Sequence, residues 1–216
     1  MGSVRVVRVD RAGFPFIFGA SIFAFVGGVV GAWWLAIPFV VLGAGFIFFF
    51  RDPDRCGPAN ITDDVVLSPA DGRVLVAGRA SAEAAPPGDW QQVSIFLSPM
   101  DVHVNRVPAS GRVTDVRFAP GRFLPAYRPD AAASNERSEI WIDHRGQTIV
   151  ARQIVGILAR RVVCRLESGA SVRAGDRLGI MKFGSRMDVF LPLSATISVA
   201  VGQKVRGGET AIAVLH

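Results

Sequence analysis

The sequence predicts a mainly β protein of the α+β class, in which a β barrel or sandwich domain follows an apolar helical hairpin. An uncharged apolar segment occupies residues 14–50. Beyond it the chain changes to short runs rich in valine and isoleucine that glycine and proline interrupt, a pattern typical of strands joined by turns. A short motif also occurs twice near the carboxyl terminus, which favours paired β-hairpins. We therefore expect a hairpin over residues 1–52 and a β domain over residues 53–216.

The apolar segment predicts two helices that enter a membrane. Residues 14–50 contain no charged side chain, and a single membrane-spanning helix needs only about 20 apolar residues. Two shorter helices fit the length better, at residues 14–30 and 33–50, with Gly31 and Ala32 at the turn. A helical hairpin buried in a protein core is the alternative interpretation, because such helices are also apolar on all sides.

Arginines flank the apolar segment on both sides, at Arg5, Arg8, Arg11, Arg51 and Arg55. Because positively charged residues tend to remain on the cytoplasmic side of a membrane, both ends of the hairpin are expected there. This predicts localisation at the cell membrane, with the β domain on the cytoplasmic side. A re-entrant hairpin or an anchor at the membrane surface satisfies the same pattern. A cleaved signal peptide is disfavoured, because the apolar segment is longer than the hydrophobic region of such peptides.

The composition indicates an anionic partner and predicts neither a metal site nor a disulfide framework. The formal net charge is +6, and it comes from arginines scattered along the chain. Beside a membrane segment such a surface favours anionic lipid headgroups. Nucleic acid binding would require a basic cluster interleaved with aromatic residues, which the sequence lacks. Cys56 and Cys164 lie far apart and in no metal-ligand spacing, which agrees with a reducing cytoplasm.

Six strands are expected in the β domain, at residues 73–77, 92–97, 111–118, 138–143, 148–154 and 194–199. Two long connections lie among them. Residues 81–89 contain Pro-Pro-Gly and fit a surface excursion, and residues 119–135 are rich in proline, glycine and alanine, which fits either a lid or a mobile loop. Residues 153–163 fit a helix and a strand equally well.

The repeated motif comprises residues 169–176 and 202–209, and an apolar run follows each copy. It resembles the hammerhead turns of biotinyl and lipoyl carrier domains, so we expect paired hairpins of the barrel-sandwich-hybrid kind. In those domains a Met-Lys-Met turn presents the lysine that is modified, and this chain has Met181-Lys182-Phe183. A membrane-tethered carrier or adaptor barrel, with Lys182 as the modified residue, is therefore an alternative function.

A glycine-serine bond, Gly184-Ser185, offers a specific chemistry. A serine hydroxyl can attack an unhindered glycine carbonyl, move the acyl group from nitrogen to oxygen and then eliminate. The new amino terminus would be a pyruvoyl group, whose ketone forms a Schiff base with an amine and accepts electrons as carbon dioxide leaves. The chain would then make its own cofactor from Ser185. The alternative is an ordinary structural turn, in which Gly-Ser pairs are common.

One of the three histidines has a setting that suits a base. His216 ends the chain, and His144 lies in a predicted hairpin turn. His103 lies in a run of alternating polar and apolar residues, in which a strand would place Asp101, His103 and Asn105 on one face. A solvated strand face is one interpretation of this pattern. The other is a site face, on which His103 serves as a base near neutral pH.

A carboxylate would orient that imidazole, and two candidates remain open. Asp71 lies in the tight turn Ser-Pro-Ala-Asp-Gly at residues 68–72, where Asp followed by Gly is by itself an ordinary turn signal. Asp71 or Asp101 would hold His103 so that its other ring nitrogen takes the proton from Ser185. Serine, histidine and aspartate acting on an external substrate would make a hydrolase, which is a further alternative function.

Together these motifs resemble the phosphatidylserine decarboxylase proenzymes, particularly those of the short bacterial and archaeal type. Six motifs occur in the order of that family and extend over nearly the whole chain, at residues 48–55, 68–72, 98–108, 135–137, 153–161 and 183–186. A series of six matches is far more specific than any one of them.

The resemblance implies a lipid-modifying enzyme that processes itself. The precursor would cleave itself at the glycine-serine bond into a β chain of residues 1–184 and an α chain of residues 185–216, which stay associated. Asp71, His103 and Ser185 match the family's processing triad, and Ser185 would become the pyruvoyl cofactor. The mature enzyme would decarboxylate phosphatidylserine to phosphatidylethanolamine and carbon dioxide at the membrane surface, without a metal.

The chain departs from some family members at one position. Some larger members carry a second histidine three residues after the first, where this chain has Arg106, so a role of that histidine does not transfer. Arg106 and its neighbour Asn105 are candidates for substrate binding, because an arginine can pair with a phosphate or a carboxylate. The resemblance leaves open which lipid is used and whether copies associate into a homo-oligomer.

Overall fold

The structure, a computed structural model, describes residues 7–58, 62–157, 162–182 and 184–216. It consists of two compact units, Met1–Asp54 and Arg55–His216. The boundary between the units follows the change in composition from the apolar segment to the strand-rich region.

The amino-terminal unit is a helical hairpin whose ends are joined by a short strand ladder. Helix α1 spans Phe14–Val29 after a 3-10 turn at Arg11–Gly13, and helix α2 spans Trp33–Phe49. Strand β1, Val7–Val9, pairs antiparallel with strand β2, Arg51–Pro53. The predicted hairpin is confirmed, and each helix ends one residue before its predicted end.

Small residues let the two helices approach closely near their turn. A Cβ at Gly27 would lie 3.1 Å from the backbone nitrogen of Ala36, and small-residue contacts of this kind are typical of helices that pack in a membrane. Large side chains point outward instead, since Phe25 is 72% and Trp34 is 74% exposed. By length and composition, α1 with its preceding turn is long enough to cross a membrane, whereas α2 is shorter.

The carboxyl-terminal unit is built almost entirely from short strands. In chain order its elements are β3 Val65–Leu67, β4 Gly72–Arg79, β5 Gln91–Leu97, β6 Val104–Arg106, β7 Gly111–Ala119, α3 Ala131–Ser134, β8 Arg137–His144, β9 Gln147–Ile154, β10 Val162–Cys164, β11 Ser171–Val172, β12 Arg177–Met181, β13 Ser185–Leu191, β14 Thr196–Ile197, β15 Lys204–Val205 and β16 Ala211–Val214. Five of the six predicted strands are confirmed as β4, β5, β7, β8 and β9. The sixth is reduced to the two residues of β14. The residues just before it form a turn instead, in which Ala195 N donates to the carbonyl oxygen of Pro192 at 3.0 Å.

One antiparallel sheet of eight strands organises this unit, in the order β11-β7-β8-β9-β13-β5-β4-β15. Strand β13 is central, paired with β5 on one side and β9 on the other. Residues on one face of these strands, such as Ile95, Ala151 and Val189, are fully buried in a core that the two smaller sheets β10-β12-β6 and β14-β16-β3 complete. The sheet curls into a half-barrel, which confirms the mainly β prediction.

The repeated motif folds in the same way at both edges of the sheet. Its first copy contains β11 and its second contains β15. In each copy a turn follows in which a glycine has positive φ, 88° at Gly175 and 72° at Gly208. The next strand, β12 or β16, begins directly after that turn. The repeat therefore reflects the architecture of the unit.

The sequence also contains a second pair of matching segments, Pro-Ala-Asp-Gly-Arg-Val at residues 69–74 and Pro-Ala-Ser-Gly-Arg-Val at residues 108–113. They cross each other through equivalent hydrogen bonds. Leu67 N donates to the carbonyl of the second segment's proline at 2.7 Å, and Arg106 N donates to that of the first segment's proline at 2.8 Å. The unit is therefore built from two halves that an approximate two-fold axis relates.

The connection at residues 119–135 is tied to the sheet by one buried amide. Asn135 is fully buried, and its Nδ2 donates to the carbonyls of Leu124 and Val155, each at 2.8 Å. In residues 153–163, the segment predicted equally well as helix or strand, the beginning belongs to β9 and the end to β10. Residues 158–161, which include the end of a predicted motif, lie outside the described residues.

Candidate active site

The predicted cleavage junction lies at the start of the central strand of the sheet. Ser185 is the first residue of β13 and is fully buried. Gly184 precedes it with a φ of +71°, a left-handed conformation that glycine adopts without strain. A Cβ at Gly184 would meet no atom within 4 Å, so the backbone conformation requires this glycine, and space does not. Phe183, the neighbouring residue of the predicted motif, lies outside the described residues.

A second glycine packs against the carbonyl group of the junction. Gly156 follows β9, and a Cβ at this position would overlap the carbonyl oxygen of Gly184. The space therefore admits only the hydrogen atom of a glycine. Gly156 belongs to the motif at residues 153–161, which was the only sign of it in the sequence. Its contact with Gly184 was not predictable, because the two residues are distant along the chain.

The imidazole of His103 lies next to the junction and is fully buried. Its Nδ1 lies 3.0 Å from the carbonyl oxygen of Asp101, and the Gly184 N–H donates to its Nε2 at 3.3 Å. A ring that donates from Nδ1 and accepts at Nε2 is the neutral tautomer, whose Nε2 carries the lone pair that a base requires. The fold thus brings His103 to the glycine of the junction, 81 residues away in sequence.

The interpretation of residues 101–105 as a solvated strand face is wrong. His103, Asn105 and the valine between them are buried. Asp101 does not belong to the strand, because β6 begins after it and its carboxylate accepts the N–H of Ser98 at 2.8 Å within a turn. Polar side chains that are buried on a strand need specific hydrogen-bonding partners.

The carboxylate of Asp71 is held by two groups. Its Oδ2 pairs with Arg55 at 2.7 Å, and its Oδ1 accepts the N–H of Gly207 at 2.8 Å. Arg55 also pairs with Glu209 at 3.1 Å. The oxygen described at hydrogen-bond distance from Nδ1 of His103 is the backbone carbonyl oxygen of Asp101, at 3.0 Å.

Comparison of the two halves distinguishes the hydrogen bond that Asp71 accepts from the negative charge that it carries. Its counterpart in the other half is Ser110, whose Oγ accepts the N–H of Ala174 at 3.1 Å. Ala174 and Gly207 occupy the same place in the repeated motif. Holding this turn therefore needs an oxygen acceptor but not a carboxylate. The negative charge of Asp71 and its ion pair with Arg55 exceed what the turn requires.

Two adjoining cavities lie beside these residues. One, of about 360 Å³, is lined by Gly184 and by the apolar side chains of Phe96, Pro99, Pro125, Ala126, Tyr127 and Ile157. The other, of about 800 Å³, shares Phe96 with the first, and its charged lining consists of Asp71, Arg73, Asp101, Lys204 and Arg206. An apolar cavity that adjoins a cavity with three basic residues suits a ligand with one poorly hydrated group and one anionic group.

Arg106 lies at a different cavity. Its side chain is buried and donates to the carbonyl of Gly175 at 3.3 Å. With Arg55 and Arg177 it lines a cavity of about 500 Å³, whose described lining includes neither residue of the cleavage junction. The structure therefore separates Arg106 from the cavity that Gly184 lines.

Asn105 contacts a residue that the sequence pattern did not single out. Gln153 Nε2 donates to Asn105 Oδ1 at 2.8 Å, and both side chains are fully buried. Three buried side-chain atoms of this region have no hydrogen-bond partner among the described residues: Asn105 Nδ2, Gln153 Oε1 and Ser185 Oγ.

In the part of the chain that the structure describes, no group of three or more His, Cys, Asp and Glu side chains is placed to hold a metal ion. An imidazole, two amides and a hydroxyl suit hydrogen bonding and proton transfer to an organic group.

The opposite face of β13 carries a buried ionic network. Arg186 Nε pairs with Asp188 at 2.6 Å, and Arg186 also donates to Ser94 Oγ at 2.8 Å. Arg152 pairs with Glu139 at 2.8 Å. Burial lowers the pKa of Arg152 from its ordinary value, and the charge of Glu139 opposes that shift. The network holds β13 from the side away from the core.

The chain is similar to proteins of one family over nearly its whole length. A model of the phosphatidylserine decarboxylase family matches residues 42–213. The phosphatidylserine decarboxylase proenzyme of Nitrosomonas europaea is 38% identical over 209 residues, which cover 96% of this chain and 95% of the relative. That of Rickettsia akari is 42% identical over 213 residues, with 95% and 89% covered. That of Pelodictyon phaeoclathratiforme is 43% identical over 184 residues, with 83% and 85% covered.

Proposed function

The chain belongs to the phosphatidylserine decarboxylase family, and from this premise we propose that it converts phosphatidylserine to phosphatidylethanolamine and carbon dioxide with a pyruvoyl group made from its own Ser185. The observation that carries the proposal is the setting of the bond between Gly184 and Ser185. A buried serine hydroxyl without a described partner follows a glycine in the left-handed conformation. A neutral imidazole accepts from the peptide N–H of that glycine. An acyl shift from nitrogen to oxygen requires such a nucleophile and such a base.

Cleavage uses only groups of the chain itself. The Ser185 Oγ bonds to the carbonyl carbon of Gly184 while its proton passes to Nε2 of His103. The peptide carbon–nitrogen bond then breaks as the proton reaches the leaving nitrogen, which gives an ester. Loss of the Cα proton of residue 185 breaks the bond between Cβ and Oγ, and Gly184 keeps the carboxylate. Residue 185, now a dehydroalanine, takes up water and releases ammonia, which leaves a pyruvoyl group.

The residues around the junction fit a pyruvoyl group. The group would take the place of the buried hydroxyl at the start of β13, where Ser185 Oγ has no described partner. When present, its ketone binds the primary amine of the serine headgroup and accepts the electron pair that departing carbon dioxide leaves behind. The chain supplies binding, exclusion of water and proton transfer.

The two cavities near the junction suit the two charged ends of the headgroup. The apolar cavity removes water from the carboxylate, and a poorly hydrated carboxylate loses carbon dioxide more readily. In the larger cavity Arg73, Lys204 and Arg206 would pair with the phosphate. Nε2 of His103 would supply the proton that replaces the lost carboxylate.

The helical hairpin and the central strand support two further parts of the proposal. A helix long enough to cross a membrane would keep the enzyme where its diacyl substrate resides, so the lipid need not leave the bilayer. The flanking arginines favour the cytoplasmic side for the catalytic unit. After cleavage the α chain would stay bound, because its strand β13 is hydrogen-bonded between β5 and β9.

The two alternative functions have less support. A hydrolase must expose its nucleophile to an external substrate, whereas Ser185 is fully buried. A carrier must present its lysine on an exposed turn, whereas Lys182 is half-buried directly after the buried end of β12. Neither fact hinders self-cleavage, in which the serine attacks the neighbouring carbonyl.

The test of the proposal is turnover of phosphatidylserine by the full-length protein in mixed micelles of detergent and lipid. We expect phosphatidylethanolamine to form and phenylhydrazine, which blocks ketones, to abolish its formation. Ser185→Ala should stay uncleaved and inactive, whereas Ser168→Ala, which alters an exposed serine, should match the wild type. A protein that leaves phosphatidylserine unchanged, or turnover that is insensitive to phenylhydrazine, would refute the proposal.

A further inference from the structure

We infer that Asn105 and Gln153 form a buried amide pair that positions the reacting group at residue 185, first in cleavage and then in decarboxylation. The inference rests on the proposed function and adds two residues to its machinery. It is carried by the hydrogen bonds that this pair lacks, by its place in the sheet and by the apolar character of the remaining residues on the same face of β9 and β13.

The pair leaves one donor and one acceptor without a partner. Each side-chain amide offers an NH₂ group and a carbonyl oxygen. The bond from Gln153 Nε2 to Asn105 Oδ1 uses one of each, and Asn105 Nδ2 and Gln153 Oε1 have no described partner. Whichever way the two amides face, their mutual bond uses one donor and one acceptor and leaves one of each for other partners.

The strand register places the two amides, with their unpaired atoms, near the cleavage junction. Gln153 on β9 is paired with Met187 on β13. Because side chains alternate along a strand, Met187 and Ser185 share one face, and Gln153 lies on the same face of the neighbouring strand. Asn105 lies on β6, two residues after His103. Both amides therefore belong to the group of buried polar side chains around the start of β13.

The remainder of this face is apolar. Ile149 and Ala151 precede Gln153 on β9, Val189 follows Met187 on β13, and all of them are fully buried in the hydrophobic core. Well-packed leucine or methionine side chains would fill such positions without leaving polar atoms unpaired. The two amides are thus the costly choice for a core, and costly polar groups in a core are characteristic of functional sites.

The unpaired atoms match what the reaction needs at residue 185. In the precursor neither Ser185 Oγ nor Gln153 Oε1 has a described partner, and rotation of the serine side chain would let the amide oxygen accept its O–H and hold Oγ toward the Gly184 carbonyl. In the mature enzyme an amide N–H donates to the carbonyl oxygen at residue 185, and the amide oxygen accepts an N–H of the substrate amine. Donors and acceptors that are already in place stabilise charge that develops during a reaction.

The experiment replaces both amides at once, by Asn105→Leu/Gln153→Leu. We expect the double variant to melt at or above the wild-type temperature, because it removes unpaired polar atoms from an apolar core. We expect it to cleave itself about 100-fold more slowly, and its matured fraction to show kcat about 100-fold lower with KM unchanged. Gln147→Leu is the matched control, since Gln147 begins the same strand and its Oε1 also lacks a described partner. It should cleave and turn over like the wild type.

Three results obtained with the variants would overturn the inference alone. A double variant with wild-type cleavage and kcat would leave the proposed function standing and remove the amide pair from it. A folded variant that loses thermal stability together with activity would assign the pair a structural role. If the double variant does not fold, Gln153→Met, which keeps the side-chain volume, decides by its cleavage rate alone, and a wild-type rate refutes the inference. Failure of the wild type to cleave or to decarboxylate phosphatidylserine would instead refute the proposed function, and the inference with it.

Discussion

At the bond between Gly184 and Ser185, single backbone atoms matter as much as side chains. Gly156 leaves space for the carbonyl oxygen of Gly184, and His103 accepts from the peptide N–H of the same glycine. Gly156 follows β9 of the large sheet, whereas His103 precedes β6 of a smaller sheet. The packing of the two sheets therefore sets the relative positions of these groups. A displacement of about 1 Å between reacting groups can change a rate by roughly 100-fold.

The first prediction at this scale concerns Gly156. We expect Gly156→Ala to slow self-cleavage about 100-fold, because the added methyl group must displace the carbonyl that Ser185 attacks. The measurement is the cleaved fraction against time after synthesis in a cell-free system. Gly111→Ala is the matched control, since its Cβ would overlap the carbonyl oxygen of Asp143, which lies at the far end of β8. Equal cleavage rates for the two variants would contradict the role given to Gly156.

A second prediction separates the charge of Asp71 from its hydrogen bond. Asp71→Ser should preserve the turn, because Ser110 holds the equivalent turn in the other half. It removes the carboxylate, and we expect cleavage to slow by about 100-fold, as for loss of a group that assists proton transfer. Asp101→Asn keeps an acceptor for the Ser98 N–H and should cleave like the wild type. Unimpaired cleavage of Asp71→Ser, with an unchanged melting temperature, would restrict Asp71 to a role in the turn.

The two cysteines provide a third test, of burial in the β unit. Cys56 is exposed, whereas burial raises the pKa of the Cys164 thiol above its ordinary value. Because the thiolate is the species that reacts, iodoacetamide near pH 8 should modify Cys56 well before Cys164. The difference between the two alkylation rates should become smaller as the pH rises toward the pKa of Cys164. Peptide mass mapping of the alkylated protein measures both rates, and equal rates at pH 8 would be inconsistent with the packing around β10.

At the scale of elements, patterns that are local in sequence predicted the structure well. The uncharged segment gave both helices, and alternation of apolar residues gave β4, β5, β7, β8 and β9. Strand β6 escaped this rule because it is buried on both faces, which removes the contrast between a core side and a solvent side. Its polar residues therefore resembled a solvated face.

The candidate site residues also differ in whether a local sequence pattern or a long-range contact distinguishes them. Ser185 and His103 were predicted as site residues from the sequence because their chemistry is distinctive and histidine is scarce in this chain. Gly156 and Gln153 were not, because what distinguishes them is a contact with another strand. The relation between Asp71 and Ser110 likewise required the crossing hydrogen bonds of the two matching segments.

The helical hairpin gives a prediction of its own. Its exposed tryptophans, Trp33 and Trp34, should lie at the membrane interface in contact with lipid if the hairpin enters a membrane. A variant with Trp90→Phe and Trp141→Phe leaves these two as the fluorophores, because the chain has four tryptophans. We expect acyl-chain bromination of phosphatidylglycerol–phosphatidylcholine vesicles to quench their emission. Emission that is the same in brominated and ordinary vesicles would place the hairpin outside the bilayer.

At the scale of the whole molecule, self-cleavage would divide a single folded unit into two chains. The α chain would carry β13, which pairs along its whole length with β5 of the β chain and also with β9. We therefore expect residues 185–216 to remain with residues 1–184 through gel filtration in mild detergent. Denaturant should be needed to part them, and separation under native conditions would contradict the central place of β13.

In the proposed function the protein cleaves itself and forms a pyruvoyl group from Ser185. The intact mass of the purified protein under denaturing conditions is the most direct test of both steps. We predict two chains, residues 1–184 and residues 185–216, the second lighter by one ammonia molecule than a peptide that begins with serine. Ser185→Ala should give one uncleaved chain. A single full-length mass for the folded wild type, or a second chain that begins with an unmodified serine, would contradict the formation of a pyruvoyl group at this site.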